Sequence, residues 1–179
     1  MIRLFDIILS LIALFVLSPI FIFLFFVEFF NKNSIFFYQQ RVGLNKKIFT
    51  LVKFRTMKLN TKSVSTHLIS IHNITALGLV LRRFKIDELP QLWNVLRGDM
   101  SLVGPRPCLL NQKKLILERN KKKIFTVKPG ITGLAQISGI DMSTPSLLTK
   151  VDFTMIKQMN LFYYFYYIVA TMLMIFRKK

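Results

Sequence analysis

Read for its apolar and polar positions, the chain opens on an uncharged run, IILSLIALFVLSPIFIFLFFV, at residues 7–27. As a helix, at about 1.5 Å per residue, it spans roughly 31 Å, enough for a bilayer core. It is too long for a cleavable signal peptide, and no small-residue cleavage site follows it. Ser18-Pro19 falls at its centre, where proline removes a backbone donor and kinks a helix. The Ser18 hydroxyl is the group placed to re-satisfy the freed carbonyl. Two topologies fit: a kinked helix that crosses the membrane, and a helix–break–helix that dips into one leaflet and returns. Of the 26 basic residues, 25 follow this segment. The remainder of the chain is therefore expected on the cytoplasmic side in both cases, and only the fate of the N-terminus differs.

Beyond it the pattern shortens. IFFYQQRV and KIFTLVKFRTM, within residues 35–58, are rich in aromatic and β-branched residues and flank Gly43-Leu44-Asn45, which predicts a β-hairpin. Lys53 and Arg55 fall on one face of the second strand, as a solvated edge or as a pair that meets a phosphate. Residues 59–74 are polar and aperiodic, and read as a loop. His67 and His72 lie there with no cysteine or carboxylate at ligand spacing, so they do not read as a metal site. The spacing Leu77, Val80, Leu81, Phe84 predicts a helix from Thr75. A second helix is predicted to start at Asp87 as N-cap, with Pro90 in its first turn, and to close at Gly98. Residues 108–125 predict a cationic amphipathic helix, either at a membrane surface or simply soluble. Residues 128–145 read as a glycine-punctuated loop, and Ser146 onward as helix again. That helix ends in LFYYFYYIVATMLMIF, 16 residues whose aromatics suit a helix lying in the membrane interface.

Charge narrows the class. The formal net charge is +18, which attracts nucleic acid, anionic lipid or phosphorylated substrates. With 53% apolar residues and a mean hydropathy of +0.45, the chain is unlike a soluble nucleic-acid binder. It offers no aromatic stacking platform or groove-reading helix. Cys108 is the single cysteine, so no intramolecular disulfide forms; a small buried hydrophobe is its plain reading. Only eight residues are acidic, and two of them adjoin as Asp87-Glu88. One reading makes Asp87 a cap and Glu88 a complement to a helix dipole; the other makes the pair chemical. DMSLVGPRP follows, with Arg106 between two prolines, a pre-ordered fork suited to bidentate phosphate contact. No phosphate-binding glycine loop, dinucleotide fingerprint, zinc spacing, nucleophile elbow or internal repeat is present.

DELPQLWNVLRGDMSLVGPRP closely resembles the central motif of the bacterial sugar transferase family of small monotopic phosphoglycosyl transferases, which initiate O-antigen, capsule and glycoprotein glycan assembly. The Ser18-Pro19 break, QQRVGLNKKIFTLVKFRTMK and VKPGITGLAQISG extend the resemblance over nearly the whole chain. It implies an α+β, mostly helical fold: a re-entrant membrane helix over residues 1–32, then a catalytic domain with interfacial helices over 33–179. It implies transfer of a phospho-sugar from a UDP-sugar to polyprenyl (undecaprenyl) phosphate, releasing UMP. Asp87 is implied as covalent nucleophile, Glu88 as its assistant in proton handling, and Mg²⁺ at Asp87. Lys53 and Arg106 are implied at the phosphates, with Arg55 beside Lys53. The implied location is the cytoplasmic face of a bacterial inner membrane, with membrane lipid as partner and no nucleic acid, in a minimal catalytic form without a polytopic N-terminal region. Asp152 matches the family pattern; Leu134, Ser138, Ile140, Met155 and Tyr164 depart from it. A non-catalytic basic membrane scaffold is the alternative.

Overall fold

The computed structural model describes residues 1–30, 34–58 and 73–177, and is a mostly helical α+β fold with two small sheets. His67 and His72 lie outside the described residues.

The apolar run belongs to two helices, α1 (Ile2–Val16) and α2 (Ser18–Phe30), bent by 55° where they meet. The cause is local. Pro19 has no N–H to offer the Phe15 carbonyl four residues back, and the Ser18 hydroxyl donates to that carbonyl at 2.7 Å instead. Among the described residues no single helix is long and apolar enough to cross a membrane. Helix α1 starts well before the apolar run, and its first turns carry polar anchors. Arg3 donates to the carbonyls of Val95 and Leu96. Asp6 Oδ1 accepts from the Ser101 hydroxyl, the Leu102 N–H and the Tyr164 hydroxyl, each at 2.9 Å. Residues 20–24 of α2 put Ile20, Phe21 and Leu24 against Phe54, Leu81, Ile86 and Leu89.

The predicted hairpin is present as β1 (Phe36–Val42) and β2 (Ile48–Phe54), antiparallel from Phe36↔Phe54 to Val42↔Ile48. Between them Asn45 and Lys46 take positive φ values of 50° and 62°, which asparagine tolerates better than most residues. Thr75 caps α3 (Ala76–Arg83) by accepting from the Gly78 N–H, and α4 (Gln91–Arg97) follows. Buried Asn94 on α4 closes the outer edge of β2: its amide donates to the Thr50 carbonyl at 2.8 Å and accepts from the Val52 N–H at 3.0 Å. A side chain thus completes what a further strand would otherwise supply.

Downstream, three expectations are corrected. Residues 108–125 are not one helix but β4 (Cys108–Leu109), which pairs with β1, then α5 (Lys113–Lys121) and a 3₁₀ turn. Lys123 in the left-handed region (φ 55°) separates the last two. The stretch 128–145 is not only loop: β5 (Gly130–Thr132) runs parallel to β3 (Ser101–Val103), and α6 (Leu134–Ile137) follows. Gly130 is required, because a Cβ there would stand 2.0 Å from the Gly104 nitrogen. The C-terminal helix is two, α7 (Pro145–Gln158) and α8 (Leu161–Arg177). Tyr164 and Tyr167 of α8 are buried in a cluster that includes Ile2, Phe5 and Leu9 of α1.

Candidate active site

The Asp87-Glu88 pair is not at a helix start. Lys85 takes the left-handed conformation (φ 55°) and turns the chain out of α3 into a 3₁₀ turn, Ile86–Glu88. Leu89 already has right-handed helical angles, and Pro90 precedes α4 without any side-chain cap. An N-cap needs extended backbone, and Asp87 sits inside a helical turn, so the capping expectation fails. Two apolar residues set the pair's height: Ile86 and Leu89 pack on the cluster of Leu24, Phe54 and Leu81. The two acidic residues between them are only 9% exposed each.

The two acids lead different electrostatic lives. Glu88 is embraced by Arg106, whose Nη1 lies 3.4 Å from Oε2 while Nη2 bonds Oε1. Lys53 Nζ, delivered by β2, stands 3.4 Å from the same Oε1. Burial alone would raise the Glu88 carboxyl, but Arg106 and Lys53 outweigh it and hold the group far below the usual range. Asp87 has no such partner; among the described residues no hydrogen bond or ion pair reaches its carboxylate. Burial, with the neighbouring Glu88 charge, pushes it up to about 6, against the pull of Lys53, Arg82 and Arg106. Burial also lowers Lys53, whereas the Glu88 charge raises Arg106.

The structure therefore brings Asp87, Glu88, Lys53 and Arg106 together, and leaves Arg55 aside. Arg55 donates to the Ser34 carbonyl at 3.1 Å and lies 5.8 Å from the centre of the Phe37 ring. These contacts are with the approach to β1 and not with the Asp87–Glu88 turn. Two cations join the site that sequence reasoning passed over. Buried Arg41 donates to the Pro107 carbonyl at 2.9 Å, and burial with the nearby Arg106 lowers it to about 10. Arg82 donates to the Thr56 hydroxyl at 2.9 Å and contributes to the field at Asp87. Their signal was available: Arg41 stands in the family-like QQRVG, and Arg82 one turn before the acidic pair.

Among the described residues no group of three or more His, Cys, Asp or Glu side chains is placed to hold a metal. A self-contained cage is thus not built. One partner-free carboxylate beside a cationic pocket does suit a magnesium ion that takes most of its ligands from substrate phosphates and water. Asp87 is that carboxylate, since Glu88 is already committed to Arg106 and Lys53. Cys108 is buried, as its plain reading expects, and burial pushes its thiol up.

Comparison with known proteins gives the family. The sugar transferase EpsL of Bacillus subtilis is 46% identical over 138 residues, 76% of this chain and 68% of EpsL. The exopolysaccharide production protein ExoY of Sinorhizobium fredii is 36% identical over 169 residues, 84% of this chain and 74% of ExoY. The undecaprenyl-phosphate galactose phosphotransferase of Salmonella typhimurium is 38% identical over 157 residues, 76% of this chain but only 32% of that enzyme. The chain thus spans about a third of some curated relatives and most of others. The family model described as bacterial sugar transferase matches residues 1–178, and the chain belongs to that family.

Proposed function

We propose that this protein is a sugar-phosphate transferase that moves a phospho-sugar from a UDP-sugar to polyprenyl phosphate, with undecaprenyl phosphate as the acceptor in a bacterium. The observation that carries the reading is the separation of the two adjacent acids. Glu88 is neutralised by Arg106 and Lys53, whereas Asp87 faces the same cations with its oxygens uncommitted. Relatives support the substrate class: one is named an undecaprenyl-phosphate galactose phosphotransferase. Another, 40% identical over 152 residues, is the UDP-glucose:undecaprenyl-phosphate glucose-1-phosphate transferase of Xanthomonas campestris.

In the first step an Asp87 oxygen bonds to the phosphorus that carries the sugar, and the bond from that phosphorus to the bridging oxygen breaks. UMP leaves with the bonding pair. In the second step an oxygen of polyprenyl phosphate attacks the same phosphorus, and the Asp87 oxygen–phosphorus bond breaks. Polyprenyl-diphospho-sugar forms and the carboxylate is restored. Carboxylates have this role in other phosphoryl transfers. A carboxylate approaching a diphosphate is repelled, and Lys53, Arg82 and Arg106 offset that repulsion where charge develops. Magnesium held by Asp87 and the donor phosphates would add further neutralisation of phosphate charge. Glu88, held ionised by two cations, is a poor proton store near neutral pH. We assign it the task of orienting Arg106 and Lys53, in place of the proton handling that the resemblance implied.

Placement at the cytoplasmic face of the inner membrane has its own support. The start of α1 is bonded to Val95, Leu96, Ser101 and Tyr164, and residues 20–24 of α2 pack on Phe54 and Leu81. The start of α1 and the first turns of α2 therefore rest on one body, which supports a bent pair that returns to the side it came from, with membrane lipid around its apolar exterior.

The test is UMP release from a panel of UDP-sugars with magnesium and undecaprenyl phosphate, run beside Asp87→Asn. Release with one donor, lost in the variant, and a phospho-sugar adduct on Asp87 by mass spectrometry are expected. Silence across the panel in folded protein, with no adduct, would leave the scaffold reading.

A further inference from the structure

The Pro105-Arg106-Pro107 corner is held by its carbonyls. The prolines have no N–H to anchor them, and each of the three carbonyls finds a different donor. The Pro105 carbonyl accepts from the Gly130 N–H at 3.0 Å, and that of Pro107 from Arg41 Nη1 at 2.9 Å. The middle one, Arg106, accepts from Arg119 Nη1 at 2.7 Å. Arg119 reaches it from α5 with its side chain only 2% exposed, although the sequence placed it on a cationic surface. The rest of its fork is clamped by Asp152 of α7, with Nε 3.1 Å and Nη2 2.7 Å from Oδ2. Asp152 is fully buried, and its Oδ1 has no hydrogen-bond partner, so its hydrogen bonding is devoted to Arg119.

A buried ion pair is a weak contributor to stability, and well-packed apolar residues often replace one without loss. What this pair does that apolar residues would not is fix one backbone oxygen in the residue whose side chain grips Glu88. We infer that Arg119 and Asp152 form a buried positioning unit, which sets the tilt of the Pro-Arg-Pro corner and so aims the Arg106 guanidinium at Glu88 and at the phosphate pocket beside Asp87. Neither residue touches the reacting atoms; both act through Arg106. The lever is long: a tilt of roughly 10° at the backbone moves an arginine fork by about 1 Å, and a misplacement of that size can cost about 100-fold in rate. Arg41, steering the next carbonyl from β1, completes a corner set from two directions.

The effect on turnover rests on the phospho-sugar transfer proposed above, whereas the geometric claim does not, so two readouts are used. In wild-type protein labelled with ¹⁵N-arginine, the Arg119 guanidinium must give a signal protected from hydrogen exchange; a freely exchanging Arg119 overturns the pairing without any variant. Arg119→Lys keeps the charge but cannot hold Asp152 and the Arg106 carbonyl together. The Arg106 guanidinium signal, assigned with Arg106→Lys, is expected to lose its bound position, while the Arg3 signal stays. Asp152→Asn, whose amide oxygen still accepts, should shift it less in the same direction, and serves if Arg119→Lys does not fold. In turnover, Arg119→Lys is expected to lower kcat about 10- to 100-fold in the wild-type background and less than about 2-fold in Arg106→Ala. An unmoved Arg106 signal in a folded variant, or equal losses in both backgrounds, would overturn the inference. An inactive wild-type protein would count against the transferase reading, and the arginine signals would still decide this one.

Discussion

Replacing Asp87, the nucleophile proposed above, should make the protein more stable. Asp87 is 9% exposed, and its carboxyl is pushed from the ordinary 3.8 up to about 6, chiefly by burial. One unit is worth about 1.4 kcal/mol, so carrying the charge at neutral pH costs the fold about 3 kcal/mol. The unfolded chain loses its proton near 3.8, while the folded one keeps it until about 6. Stability contributed by this group is therefore complete below 3.8 and is lost as pH rises through 6. Asp87→Asn keeps the shape and removes the charge. Above pH 7, with a chelator present, its melting midpoint should exceed the wild-type value by about 6–12 °C, at about 2–4 °C per kcal/mol for a chain of this size. The gap should narrow between pH 6 and 4 and vanish below that. Thermal unfolding in detergent, followed by intrinsic fluorescence across pH, reads it directly. A variant no more stable than wild type at pH 8, or a gap that persists at pH 3.5, refutes the assignment of Asp87 as an uncompensated buried charge. Its neighbour should behave oppositely. Glu88→Gln strands Arg106 and Lys53 without their counterion, and should lower stability at pH 8 by about 3 kcal/mol.

Other outcomes follow from the packing. A cysteine at residue 2, with Cys108→Ala, should stay unlabelled by a membrane-impermeant thiol reagent in intact cells; labelling from outside would mean that α1–α2 crosses the membrane. Gly130→Ala should abolish folded yield, since its Cβ would overlap the Gly104 nitrogen at 2.0 Å, and a variant that purifies with wild-type melting would contradict the close approach of β3 and β5. Asn94→Ala uncovers the Thr50 carbonyl and the Val52 N–H on the edge of β2. It should cost about 2–3 kcal/mol in chemical denaturation, and a loss below about 0.5 kcal/mol would mean that water replaces the amide freely.

Features set by neighbours in sequence were legible; those set across the fold were not. The Ser18-Pro19 break acts within one helical turn, and both its bend and its hydroxyl rescue were readable. The β-hairpin carries its own turn. By contrast, β3 and β5 are three residues each and pair between Ser101 and Gly130, too short to show alternation. The helix expected at Asp87 was misplaced because its signals, an acid followed by proline, ignore the left-handed Lys85 that has already started a turn. At the site, Lys53, Glu88 and Arg106 were singled out from the residues themselves and given roles by the resemblance, whereas Arg119 lay in a stretch read as a cationic amphipathic helix. Its partner, Asp152, is 33 residues away. Tyr164 stood out only as a departure from the family pattern; it is buried, with its hydroxyl on Asp6.

The anchors of α1 also impose an order in time. Arg3 bonds to residues 92 and 93 positions later, and Asp6 to Tyr164, 158 positions later. At about 5–20 residues per second of synthesis, the last of these arrives roughly 10–30 s after the first helix leaves the ribosome. Until then Asp6 lacks the Tyr164 hydroxyl, the last of its three donors to be made, while Ser101 and Leu102 are already present. The seating of the bent pair is therefore provisional until α8 latches it. A chain cut short before Tyr164 would keep the bent pair and every member of its cationic pocket, still joined through Arg3 and through Asp6 with Ser101 and Leu102, yet would lack the bond from α8 to that node.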